Sequence, residues 1–117
     1  MAAGKLNLTI EQGATFRKVL TWTDNLGNPI DITGFTARMQ IRQALKDPTP
    51  IISLTTENGG IVLGGVTGEI ELYISDGDTE AMTIQKGVYD LELEAGGGGD
   101  VTRLVEGKVT MSLEVTR

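Results

Sequence analysis

The sequence predicts an all-β domain built as an antiparallel sandwich, and three features of its 117 residues carry that prediction. Apolar and polar residues alternate with a period of two through stretch after stretch, the pattern of half-buried strands. Clusters of Gly, Pro, Asn and Asp interrupt the alternation at intervals of about 8–12 residues. Only one short segment, residues 75–82, has helical character. The length suits one domain over residues 1–117, large enough to bury a core without metals or disulfides.

The most regular stretch is residues 31–42, in which Phe35, Ala37, Met39 and Ile41 alternate with Thr36, Arg38, Gln40 and Arg42. Gly27, Pro29 and Gly34 punctuate its entry and Pro48 and Pro50 its exit, so neither end continues a ladder. The other segments read as partners for it. Residues 5–10 form a first strand carrying Leu6, Leu8 and Ile10, ended by Glu11-Gln12-Gly13. Residues 15–23 form a second, with Phe16, Lys18, Leu20 and Trp22 on one face, which makes the single tryptophan an expected core anchor. A turn cluster over residues 24–29 and a short run at 30–32 lead into the central strand. Residues 43–47 have helix formers for little more than one turn before Pro48 stops them, so they read as a crossing loop.

Strands follow at 51–55, 61–63 and 69–74, the last with Ile70, Leu72 and Ile74 inward. The helical signal at 75–82 amounts to one turn, with Asp78 or Thr79 as N-cap. Residues 86–94 place Tyr89, Leu91 and Leu93 on one face and Asp90, Glu92 and Glu94 on the other. Gly96, Gly97, Gly98, Gly99 and Asp100 form a hairpin tip leading into 101–105, and 108–115 closes the chain with Val109, Met111, Leu113 and Val115 in phase. This succession indicates an immunoglobulin-like Greek key, with a jelly roll or small barrel as the alternative. If so, the strand bearing Arg38 and Arg42 neighbours the one bearing Asp90, Glu92 and Glu94, and opposite charges face each other.

Composition removes much chemistry. The chain has no cysteine and no histidine, which excludes disulfides, Cys/His zinc sites, Ser-His-Asp and Cys-His nucleophile systems, and the usual neutral-pH acid–base residue. The net charge is −6, concentrated beyond residue 58, and aromatics are few, so no nucleic-acid partner is expected. No apolar run approaches the ~18 residues of a membrane span, and the N-terminus lacks a signal-peptide pattern, so a soluble, unprocessed chain without a membrane partner is expected. Asp76, Asp78 and Glu80 alternate like the start of a calcium loop but lack its later glycine and glutamate, so no metal is expected. The glycine run at 96–99 precedes a strand rather than a helix, which favours a flexible loop tip over a phosphate cradle. Glu69 and Glu71, and Asp90, Glu92 and Glu94, lie on outward faces where nothing is expected to raise a pKa, so they read as solvated carboxylates rather than an acid–base pair. No catalytic or cofactor-binding residue emerges.

The order Ile10-Glu11-Gln12-Gly13, Phe16, the turn at 24–29, and the stretch from Asp31-Ile32-Thr33-Gly34-Phe35 to Arg42 resembles small tailed-bacteriophage virion proteins and the N-terminal immunoglobulin-like domains of phage baseplate proteins. Tyr89-Asp90-Leu91 and the ending Gly107-Lys108-Val109 to Val115-Thr116-Arg117 resemble the same group. Gly87-x-Tyr89-x-Leu91 also resembles the tyrosine corner of immunoglobulin-like sandwiches. The resemblance implies a non-enzymatic structural virion protein, an assembly or adaptor module of the tail or baseplate, made in the bacterial cytoplasm and carried in the virion. Because the chain stops at Arg117 where baseplate members continue, a connector, adaptor or capping role is expected over host recognition. A capsid decoration protein and a carbohydrate- or ligand-binding sandwich are the alternatives. The expected partners are other virion proteins and further copies of the chain in a symmetric array. Their expected contacts are the last strand as an open edge, through Val109, Met111, Leu113 and Val115, and the tip Gly96, Gly97, Gly98 and Gly99.

Overall fold

The computed structural model describes residues 4–115, and it is an all-β sandwich of two sheets. Its strands are β1 (Gly4–Lys5), β2 (Leu8–Glu11), β3 (Phe16–Thr21), β4 (Thr36–Arg42), β5 (Ile52–Thr55), β6 (Ile61–Leu63), β7 (Glu69–Ile74), β8 (Lys86–Glu94) and β9 (Val101–Ser112). A short helix α1 (Asp76–Ala81) joins β7 to β8. One sheet has the order β1-β9-β8-β4-β5, with β2 following β1 along β9, and the other has the order β3-β7-β6. Thr116 and Arg117, part of the ending that carries the phage resemblance, lie outside the described residues, as do residues 1–3.

The core is the set of inward phases that alternation defines. Ala37, Met39 and Ile41 of β4 pack with Leu91 and Leu93 of β8, and from the facing sheet come Ile61, Ile70, Leu72 and Ile74. Ile32 and Met82, from the loop before β4 and the end of α1, close the two ends. Residues 30–32 are therefore loop, anchored by one buried isoleucine. Trp22 departs from expectation. β3 ends at Thr21, and the indole lies at the margin of the core, partly buried, edge-on to Phe35 at 6.4 Å between ring centroids.

Residues 101–112 form one strand rather than two. Leu91 faces Val105 but Glu92 faces Arg103, so Leu104 is an extra residue that shifts the phase of β9. The slip breaks the sequence alternation without breaking the ladder. β9 is also not an edge. β8 pairs with one side of it and β1 and β2 pair parallel with the other, from Gly4 opposite Val105 to Glu11 opposite Ser112.

Tyr89 and Gly107 make this parallel seam possible. They face each other across β8 and β9, and the Tyr89 hydroxyl donates to the Leu6 carbonyl at 2.5 Å. A Cβ on Gly107 would lie 2.2 Å from that same carbonyl oxygen, so the approach requires glycine. The tyrosine corner the sequence suggests is thus replaced by a bond to the N-terminal segment rather than to nearby upstream backbone.

At the opposite end, Ser75 caps α1 by accepting the Asp78 N–H, a role expected of Asp78 or Thr79. Thr79 is instead fully buried, its hydroxyl donating to Ala14 O at 2.8 Å and accepting the Gly13 N–H at 3.0 Å. The Gln12 carboxamide donates to Glu80 O at 3.2 Å and accepts the Glu114 N–H at 3.0 Å. The turn between β2 and β3 is thereby tied to the helix and to the end of the chain.

Two substitutions separate core packing from the seam. Leu91 is fully buried, so Leu91→Ala should cost about 2–5 kcal/mol in denaturant unfolding through lost transfer energy and a cavity. Tyr89→Phe should cost about 1 kcal/mol by leaving the Leu6 carbonyl without its donor. Burial pushes the Tyr89 phenol from its ordinary 10.0 up to about 12. Its contribution is intact below pH 10, where folded and unfolded chains both hold the proton, and is lost as pH rises through the folded value. Stability measured across that window should therefore fall less steeply in Tyr89→Phe than in the parent.

Candidate functional site

Two surfaces concentrate side chains of functional interest: the outer face of the six-stranded sheet and the outer edge of β3. The first is an open concavity of about 880 Å³ lying over β4, β8 and β9. Half of the chain's ten basic residues line it: Lys5, Arg38, Arg42, Arg103 and Lys108. Register explains their placement. Arg38 directly faces Glu92 across β4 and β8, and Glu92 faces Arg103 across β8 and β9. In the adjacent row Gln40 faces Asp90, and Asp90 faces Glu106.

The result is a mosaic of paired charges. Arg38 contacts Glu92 at 2.9 Å and Glu94 at 3.8 Å, and Arg103 contacts Asp90 and Glu106, each at 3.5 Å. Lys5 bonds to Glu106, which holds that carboxyl below the usual range. The expected juxtaposition of Arg38 with the β8 carboxylates is therefore present. Arg42 turns away, donating to Asp47 O at 2.6 Å and Gln40 Oε1 at 2.7 Å, which tethers the loop at 43–47. Asp90 corrects one expectation: partial burial, reinforced by neighbouring Glu92, raises its pKa despite its outward position.

The second surface belongs to the three-stranded sheet. Arg17 lies over the Tyr73 ring at 4.6 Å and reaches Glu71 at 3.5 Å. Val19 and Val62 flank Glu71 in one row, and both are about half exposed, at 51% and 54%. Among the described residues β3 pairs only with β7, so its other side is an open edge, which the alternation of its residues could not disclose. The corresponding edge of β5 is partly capped. The Asn58 carboxamide accepts the Thr55 N–H at 2.9 Å and donates to Ser53 O at 3.0 Å, occupying backbone groups that face away from β4. Sequence reading marks Asn58 only as a turn residue; an Asn three residues after the strand end is the available signal.

The expected contact residues divide. Val109 and Met111 are buried in the core, because β2 covers the side of β9 that was expected to be open. Leu113 and Val115 lie beyond β9 and are exposed, at 46% and 91%. Gly96, Gly97, Gly98 and Gly99 are exposed, but the tip has a defined shape: Gly97 and Gly98 adopt positive φ, and a Cβ on Gly96 would come within 2.9 Å of Gly34 O. Asp76 and Asp78 occupy the first turn of α1. Among the described residues, no group of three or more Asp or Glu is gathered around a metal-sized space, and no helix is long and apolar enough to cross a membrane. No protein-family model matches the chain, and no curated protein matches it in sequence.

Removing one member of the charge mosaic should be nearly neutral for stability, since exposed pairs each contribute about 0.2–1 kcal/mol. Arg38→Ala should therefore shift the urea midpoint only slightly, and less in high salt. A loss comparable to that of a core truncation would show that the face is structural rather than available for contacts.

Proposed function

We propose that this chain is a non-enzymatic structural protein of a tailed-bacteriophage particle, an assembly or adaptor module of its tail or baseplate. The observation that carries this reading is the outer face of the six-stranded sheet, where Arg38, Arg103 and the surrounding carboxylates form a network of ion pairs over a broad concave surface. Such a face offers fixed charge positions to a complementary protein surface. Modest contacts suffice on a symmetric platform, where neighbouring copies raise the effective concentration.

The strand order supports the resemblance on which the particle assignment rests. Taking β3 to β9 as strands B, C, C′, D, E, F and G gives G-F-C-C′ opposite B-E-D, the immunoglobulin-like arrangement we infer for this domain. The stretches that carry the phage resemblance include joints of the sandwich: Gln12 and Gly13 at the turn tied to α1, Gly34 beneath the glycine tip, and Tyr89 and Gly107 at the parallel seam. Partners on this reading are other virion proteins, with assembly following synthesis in the bacterial cytoplasm.

The test is incorporation. Mass spectrometry and reconstruction of purified particles should find the chain in the tail or baseplate, and the double charge reversal Arg38→Glu, Arg103→Glu should reduce its incorporation at least tenfold while the protein stays folded. Absence from particles, or undiminished incorporation of the folded variant, defeats the proposal. Density on the head would move the chain to capsid decoration, and reproducible glycan-array binding to this face would favour a ligand-binding sandwich.

A further inference from the structure

Backbone parity shows which groups the β3 edge leaves unpaired. Trp22 donates its N–H to Gly68 O at 2.9 Å, immediately beyond the ladder in which Leu20 faces Ile70 and Lys18 faces Leu72. Even-numbered residues of β3 thus turn their N–H and C=O groups toward β7. The far side of β7 agrees, because the Tyr73 N–H bonds to Gly60 O and odd-numbered residues of β7 serve β6. Arg17, Val19 and Thr21 therefore aim both backbone groups at the open edge. No turn, loop or cap bond among the described residues reaches them. Among the described residues nothing comparable to Asn58 on β5 is present there.

We propose that this edge is closed by a second copy of the chain, β3 pairing antiparallel with its counterpart about a two-fold axis at Val19. A two-fold axis relating antiparallel strands of one sheet is perpendicular to it, so some residue must face its own copy. Centring on Arg17 or Lys18 sets like charges opposite each other, which is unfavourable. Centring on Leu20 or Lys18 also pairs fewer of the outward-facing residues within the strand. Centring on Val19 places Val19 on Val19 and Arg17 on Thr21, and thereby uses every free group of β3 in about six hydrogen bonds.

The side chains agree with this register. On the outer face the half-exposed Val19 meets its own copy, and Arg17 has the neutral Thr21 opposite. On the inner face Lys18, exposed and without an ion pair among the described residues, faces Leu20. Its aliphatic stem can cover the leucine while the ammonium stays in water. Phe16 faces Trp22, and these two and Leu20 are the partly buried hydrophobics along β3 that its own fold leaves incompletely covered. Lys18, an inward-pointing charge of the kind that blunts edges, here rejects one register and permits another. The inference stands on the β3 ladder and does not rest on the particle assignment.

Purified protein tests it directly. Light scattering should show a mass rising from one chain toward two as concentration reaches about 100 μM, the range of a small interface. Over the same range, amide exchange at Arg17, Val19 and Thr21 should slow with concentration, while Lys18 and Leu20 stay protected throughout. The chain has no cysteine, so V19C is a clean reporter. The Cα atoms of a hydrogen-bonded antiparallel pair lie about 5.5 Å apart, so a short bifunctional maleimide should join V19C into a covalent dimer. V62C, equally exposed but remote from the axis, should remain monomeric. V19K should be monomeric with an unchanged melting temperature. A wild-type mass of one chain at every concentration, exchange at the three odd residues that ignores concentration, cross-linking of V62C as readily as V19C, or a dimer that V19K leaves intact would each overturn the proposal. The exchange measurement decides the question even if a variant misfolds.

Discussion

The hydrogen bond from the Tyr89 hydroxyl to the Leu6 carbonyl, made across the bare Cα of Gly107, is the constraint on which the sandwich's edges depend. It seats the N-terminal segment against β9 and so lets β1 and β2 complete the six-stranded sheet. Val109 and Met111 can then be interior residues rather than an apolar edge. Because the N-terminal strands are committed to β9, they are not available to β3, and the edge exposed by the three-stranded sheet follows from that choice.

β9, β5 and β3 are each managed by different chemistry. β9 is covered by another part of the chain, and β5 is partly capped by a single carboxamide that mimics the groups of a neighbouring strand. On β3 the device is Lys18, whose charge discourages pairing in some registers without supplying partners to the backbone. The faces follow a separate logic. On the six-stranded sheet, one row perpendicular to the strands runs Arg38, Glu92, Arg103, and its attraction does more to fix the register of β4, β8 and β9 than to stabilise the fold.

Much of this was legible in the sequence where information is local. Alternation located β4 and β8 and the burial of Met39, Leu72 and Leu91, and it placed Arg38 opposite the β8 carboxylates. What alternation cannot report is who pairs with whom. The parallel seam depends on residues about a hundred positions apart, so β9 looked like an edge. Leu104 shifted the phase of β9 and made one strand resemble two. Trp22 carries the periodicity of β3 one residue past its end, where the ring meets the margin of the core rather than its centre. Of the expected contact residues, the glycine tip, Leu113 and Val115 are at the surface, whereas the β3 edge had no signature beyond two adjacent basic residues.

The parallel seam also governs how the domain carries mechanical load. β2 and β9 run in the same direction, so the described chain leaves the sandwich at opposite ends, from Gly4 beside Val105 and from Val115 beyond Ser112. Tension applied between those ends pulls the two strands past each other along their length, and the hydrogen bonds of the seam are strained together rather than opened one by one. A domain pulled in this way resists as a lap joint does, with the Tyr89 bond acting as a pin through it. Inserted in line between two other bodies, it would transmit force along the seam with its hydrogen bonds in their strongest arrangement.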